Sequence, residues 1–191
     1  WPASECDGWK IQNCTFGNIY QRILINSGSG TFENNTVLNS GSSLSLFSNG
    51  IAGYEGGIMK NITIRNNVFY NTANHPSGTA IELYQSPNWQ AFIKAENISI
   101  SNNTFVNCGL VFTSNNLKNI SFNNNIVVNP LVYNKTITAL DQLYTLSNTQ
   151  DFTQSNNLFK ANSSNLPKII SICRDTSKAA KDKVAAIRSI A

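Results

Sequence analysis

A short motif recurs six times along this chain, and its spacing limits what the chain can fold into. Each copy is an alternating apolar segment that runs into Asn-Asn-x-Phe or a close variant: Ile11-Gln12-Asn13-Cys14-Thr15-Phe16, Phe32-Glu33-Asn34-Asn35-Thr36-Val37, Ile64-Arg65-Asn66-Asn67-Val68-Phe69, Ile100-Ser101-Asn102-Asn103-Thr104-Phe105, Phe122-Asn123-Asn124-Asn125-Ile126-Val127 and Gln154-Ser155-Asn156-Asn157-Leu158-Phe159. The first Asn falls at 13, 34, 66, 102, 124 and 156, in steps of 21, 32, 36, 22 and 32 residues. A base step of 21 to 22, extended elsewhere by 10 to 14, is the signature of one solenoid coil with loop insertions.

Within a copy the alternation buries one face of a strand, and the asparagines turn the chain into a second strand. Asn suits that corner because it tolerates left-handed backbone angles and its amide bonds nearby backbone. Stacked coil on coil, such amides can form a ladder along the axis. Further apolar runs follow, at Arg22–Ile25, Ser43–Phe47, Thr79–Leu83 and Gly109–Phe112, with Ile23 and Leu44 both ten residues past their Asn. The expected fold is all-β, a right-handed parallel β-helix of about six to seven coils of the pectate-lyase-like type. No register is legible from Lys135 to Thr149.

From Thr176 the period changes. Ala180, Val184, Ile187 and Ala191 make one helical stripe. Residues 1–172 are therefore expected to form the β-helix and residues 173–191 a helix that caps its open end. The chain opens at Trp1 inside a repeat-like segment. Upstream coils of the same polypeptide, or a partner chain, are expected to cover that end.

With 30 Asn and only 13% charged residues, the chain would suggest disorder without its apolar period. A net charge of +4, with its excess in Lys178, Lys181, Lys183 and Arg188, leaves no basic stripe through the repeats, so a nucleic-acid partner is not expected. No apolar run is long enough to span a membrane. Cys6, Cys14, Cys108 and Cys173 match no zinc spacing; Cys14 stands at the second Asn of its corner, either as a small buried thiol or bridged to Cys6. His75 has no nucleophile or second His arranged around it, and neither metal nor cofactor is expected.

Eight Asn-x-Ser/Thr sequons suggest a secreted or cell-surface glycoprotein. Asn13, Asn34 and Asn102 are expected to sit in the inward ladder, out of reach of a glycan. Asn61, Asn97, Asn119, Asn134 and Asn162 remain candidates.

Of ten acids, Glu55, Glu82 and the Glu5/Asp7 pair remain for carbohydrate chemistry, which needs carboxylates facing one groove. Glu55 lies in the insertion Asn49–Gly57, between Tyr54 and two glycines. Glu82 lies on an alternating strand about one coil away, roughly 5 Å along the stack. Tyr54, Tyr84 and Trp89 could stack on sugar rings. Glu33 and Glu96 read as ordinary solvent-facing acids.

The segments Trp1-Pro2-Ala3, Ile11–Asn18, Arg22–Ile25, Phe32–Thr36, Ser40-Gly41-Ser42 and Tyr54-Glu55-Gly56-Gly57, leading into Ile62–Phe69, together resemble the β-helix of glycoside hydrolase family 110, which contains inverting α-1,3-galactosidases. The resemblance covers roughly residues 1–130 and implies that Glu55 is a catalytic acid in the groove, with Arg22 beside it. The family's paired-Asp element has no counterpart in this chain. The expected function is thus a glycoside-hydrolase-like, α-galactosidase-like β-helix acting on glycans and holding part of the catalytic set. The alternative is a non-catalytic extracellular scaffold or glycan-binding wall protein.

Overall fold

The computed structural model describes residues 7–20, 22–25, 28–48, 59–73, 78–85 and 95–191. In these segments the chain winds through β1 (Trp9–Gln12), β2 (Thr15–Gly17) and β3 (Ile23–Ile25), then β4 (Gly30–Glu33), β5 (Thr36–Ser40) and β6 (Leu44–Ser48). The third coil holds β7 (Lys60–Arg65), β8 (Val68–Thr72) and β9 (Thr79–Gln85), and the fourth β10 (Ala95–Ser101), β11 (Thr104–Val106) and β12 (Leu110–Asn115). A fifth coil of β13 (Leu117–Asn123), β14 (Ile126–Val128) and β15 (Tyr144–Ser147) precedes β16 (Gln150–Ser155) and β17 (Leu158–Lys160). Corresponding strands stack in parallel into three sheets: β1-β4-β7-β10-β13-β16 (sheet 1), β2-β5-β8-β11-β14-β17 (sheet 2) and β3-β6-β9-β12-β15 (sheet 3). The fold is a parallel β-helix, as the repeat implies.

Register follows the asparagine steps. Ile23 pairs with Leu44, as their equal offsets require. Inward columns fill the bore: Phe16, Phe32, Phe69, Phe105 and Phe122 form a continuous stack with centroid separations of 6.0, 6.5, 5.0 and 6.1 Å. Phe16, Phe69 and Phe105 are equivalent rungs of sheet 2, and where that column carries Val37 and Val127 the ring comes instead from sheet 1, as Phe32 and Phe122.

The asparagine ladder is formed by the second Asn of each pair, which corrects the expectation for Asn13, Asn34 and Asn102. The first Asn of each corner is left-handed, with φ between 53° and 57°. One left-handed residue reverses the in-out alternation, so its successor points inward. Asn35, Asn67, Asn103 and Asn125 are fully buried. Backbone N–H groups of Asn35, Asn67, Asn103 and Asn125 donate to the side-chain Oδ1 of the next coil's Asn at 2.9, 3.0, 2.9 and 2.8 Å. Each ladder amide from Asn35 to Asn157 donates back to a carbonyl of Ile11, Phe32, Ile64, Ile100 or Phe122. The corner thereby satisfies polar groups that would otherwise be buried at a cost of about 1–3 kcal/mol each.

Left-handed asparagines also recur every five residues, at 61, 66 and 71, at 97, 102 and 107, and at 119, 124 and 129. They turn each coil in three places and form further ladders on the outside, such as Asn71 Nδ2 to Asn39 Oδ1 and Asn129 Nδ2 to Asn107 Oδ1, both 2.8 Å.

Two features differ from expectation. The segment without legible register contains a 3-10 turn, Leu140–Leu143, and β15, whose Tyr144 pairs in register with Phe112 of β12 and meets its ring edge-on. The C-terminal tail is two helices, α1 (Leu166–Arg174) and α2 (Ala180–Arg188), and they lie along the outer face of sheet 2 rather than over the solenoid's end. Outward residues of sheet 2, Val68, Tyr70, Val106, Ile126 and Val128, form an apolar face two columns wide, and Ile169, Cys173, Ala180, Val184 and Ile187 cover it. An apolar column must be buried, and an amphipathic helix pair supplies the cover.

Candidate functional site

On sheet 3 the inward column is Ile23, Leu44, Ile81, Phe112 and Tyr144, and the next residues, Leu24, Ser45, Glu82, Thr113 and Thr145, form the outward column. Glu82 sits in the middle of that column, on β9. Arg22, just before β3, reaches across coil 2 so that its Nη1 stands 3.2 Å from Glu82 Oε2. Ser45, on the intervening β6, donates its hydroxyl to the same oxygen at 2.5 Å. Three consecutive coils thus converge on one carboxylate oxygen. The two charged side chains stay accessible, 38% and 32% exposed, while Ser45 is wholly buried.

The stacking brings together Arg22 and Glu82, 60 residues apart in the chain. Ser45 was missed. Its partner lies 37 residues away, a step set by the 10- to 14-residue insertions, so only a known register pairs them. Glu55, Tyr54 and Trp89 lie outside the described residues, as does His75. In the sequence, Glu55 belongs to the insertion that leaves β6, and Trp89 to the one that leaves β9. Both insertions therefore follow the two strands that carry Ser45 and Glu82.

The other described acids have different settings. Glu33 pairs with Arg65 at 2.6 Å and Glu96 with Lys60 at 3.0 Å on sheet 1, consistent with solvent-facing roles. Glu82 is the one acid on the strands of sheet 3. Among the described residues no group of three or more His, Cys, Asp or Glu could hold a metal ion.

Cys14, Cys108 and Cys173 are free thiols. Cys14 is exposed, not the small buried thiol expected, because its rung of the ladder is the first among the described coils; its backbone N–H still donates to Asn35 Oδ1 at 2.9 Å. Cys6 is outside the described residues. Burial pushes the Cys108 thiol up to about 11 and the Cys173 thiol up to about 12, so both stay protonated and unreactive at neutral pH.

All five candidate glycosylation asparagines are exposed, but they differ. Asn97 Nδ2 donates to Asn61 Oδ1 at 3.0 Å and Asn119 Nδ2 to Asn97 Oδ1 at 2.7 Å, which occupies the nitrogens a glycan would use. Asn134 and Asn162 stand outside that ladder. Among the described residues no helix is long and apolar enough to cross a membrane. In comparisons with protein-family models and with curated proteins, no family model and no curated protein matches this chain.

Proposed function

We propose that this chain is the β-helix of a secreted or cell-surface carbohydrate-active protein of the glycoside-hydrolase type, with its saccharide groove along the outward column of sheet 3. The observation that carries this reading is the convergence of Arg22, Ser45 and Glu82 from three coils onto one point of an otherwise uncharged column. A carboxylate beside a guanidinium is the arrangement that sugar hydroxyls need: the carboxylate accepts from one hydroxyl while the guanidinium donates to its neighbour. The hydrogen bond from buried Ser45 fixes the rotamer of Glu82, so binding does not have to order it.

In this reading Glu55 is the general acid, and Tyr54 and Trp89 offer ring faces to the sugar. The resemblance to the α-1,3-galactosidase family suggests an α-galactoside. An inverting reaction also needs a base to activate water, about 6.5–9.5 Å from the acid. Glu82 is the one acid on the strands of sheet 3 to fill that place, where it is in partnership with Arg22. That same partnership favours a second reading, in which Glu82 only positions the glycan and the chain is a binding scaffold.

A glycan array identifies the ligand, and titration calorimetry then compares Glu82→Gln with the unaltered chain. Loss of about tenfold or more in affinity is expected, the scale of a charge-assisted hydrogen bond. Unchanged affinity would remove the groove from sheet 3. Release of galactose that disappears in Glu55→Gln favours the enzyme; binding without turnover favours the scaffold.

A further inference from the structure

Charge is unevenly divided along this chain. Residues 160–191 hold seven Lys and Arg against two Asp and Glu, a net of +5, while residues 1–159 hold seven against eight, a net of −1. The positive part is also one place in the fold, the helical layer over sheet 2. Lys168 and Arg174 stand on the exposed side of α1, Lys178 on the linker, and Lys181 and Arg188 on the exposed side of α2. Lys160, at the end of the outward column that the helices cover, extends the same face. Against these six cations the layer sets Asp182, exposed, and Asp175, which is paired with Lys178 at 3.5 Å.

We propose that this helical face docks the protein onto an anionic polysaccharide, a chain bearing uronate or sulfate groups, at a site separate from the groove of sheet 3. Complementary charge is the first argument: a cationic face on an otherwise neutral solenoid orients the molecule toward a polyanion over about a Debye length. The second is rigidity. Arg188 donates to the Asn124 carbonyl and the Arg174 guanidinium lies 5.3 Å over the Tyr70 ring, so two of the cations are held in place on the sheet. The third is what the face lacks. Both helices spend their apolar sides on sheet 2, through Ile169, Cys173, Val184 and Ile187, and keep no apolar stripe to bury in a bilayer. The one ring in the face, Tyr70, is 4% exposed and covered by Arg174, so no aromatic platform is offered to nucleic-acid bases.

The test uses the whole chain with polygalacturonate and heparin as probes, by affinity electrophoresis from 50 to 200 mM NaCl. Retardation that weakens steeply with salt is expected. Reversing two freely exposed lysines, Lys168→Glu with Lys181→Glu, is expected to weaken it by about tenfold or more, whereas Lys168→Arg with Lys181→Arg retains it. Lys118→Glu on sheet 1 is the charge control, and far-ultraviolet dichroism verifies the helices. Equal loss in Lys118→Glu, or no loss in the double reversal, overturns the proposal. So does tighter binding to phosphatidylglycerol vesicles or duplex DNA than to either polysaccharide. Neutral-glycan affinity in the groove should be the same in every one of these variants, which keeps the test independent of the function proposed for sheet 3.

Discussion

Sheets 2 and 3 share one bore but differ on their outer faces. Inside, both contribute stacked apolar columns. Outside, sheet 2 presents Val68, Val106, Ile126 and their neighbours and is buried beneath two helices, whereas sheet 3 presents Leu24, Ser45, Glu82, Thr113 and Thr145. The backbone is nearly the same, so the outward column alone decides whether a face becomes core or surface. A charge placed at the same rung of each sheet separates the two most sharply. Ile126→Asp, wholly buried under the helices, should cost about 3–5 kcal/mol, as expected of an unpaired buried charge. Thr145→Asp, exposed on sheet 3 in the same coil, should stay within about 0.5 kcal/mol. Urea unfolding of both variants measures the contrast, and equal costs would mean that sheet 3 is covered as sheet 2 is.

The corners differ in the same way. Between sheets 1 and 2, Asn103 is buried; it donates to the Ile64 carbonyl and accepts from the backbone of Asn67. Asn103→Ala strands both groups and should cost about 2–4 kcal/mol at one to two unsatisfied partners. Leaving sheet 3, Asn148 bonds Asn116 at 2.8 Å in the open, and Asn148→Ala should cost under about 1 kcal/mol, since water replaces the lost partner. Thermal unfolding of the pair gives the order, and a reversal would show that the exposed ladders carry the coil.

Why some of this was legible in the sequence follows from the same ladder. A corner that must bury an amide in every coil repeats a visible residue at a fixed place, so coil count and register between Ile23 and Leu44 could be read directly. Inward and left-handed asparagines were harder to tell apart: both are Asn, and only the reversal of alternation by a left-handed residue distinguishes Asn34 from Asn35. Strand β15 was hidden by the insertion before it, although Asn116 and Asn148 are separated by the same 32 residues as Asn124 and Asn156. The destination of the C-terminal helices was obscured because Val68, Tyr70 and Val106 alternate like any half-buried strand. Ile126-Val127-Val128, apolar on both faces, was the clue that sheet 2 needed an outer cover.

Lys183 tests that cover by pH. Only 2% exposed, it donates from Nζ to the Cys173 carbonyl at 3.0 Å and to Thr36 Oγ1 at 3.3 Å, and so ties α2 to α1 and to β5. Burial pulls its pKa below the usual 10.5, with Cys173 and Asp175 acting in the opposite direction. The unfolded chain then holds the proton more tightly, so the contribution of Lys183 to stability should rise with pH from the lowered folded value up to about 10.5, and comparison with a Lys183 variant isolates it from the opposite slope of the two buried thiols. Lys183→Met should lose that rise and, at neutral pH, unfold within about 1–2 kcal/mol of the parent, because a well-packed apolar replacement avoids the cost of burying the charge. Sheet 3 has no buried cation, so the Glu82 variants should keep the parent's slope. A Met variant with the full slope would assign it to another group.

The smallest effect on stability is expected where the largest effect on binding is proposed. Arg22 and Glu82 are each about one-third exposed, and an accessible pair of this kind contributes about 0–1 kcal/mol. Arg22→Gln and Glu82→Gln should therefore unfold almost with the parent, and salt should erase what difference there is. Ser45→Ala is the more discriminating change. Its hydroxyl is buried and its one described acceptor is Glu82 Oε2, so its removal leaves the charges in place while freeing the carboxylate to change rotamer. A fall of several-fold in glycan affinity with unchanged stability would mean that the column is built for a ligand. A fall in stability with unchanged affinity would make it only a solvent-facing strap between coils.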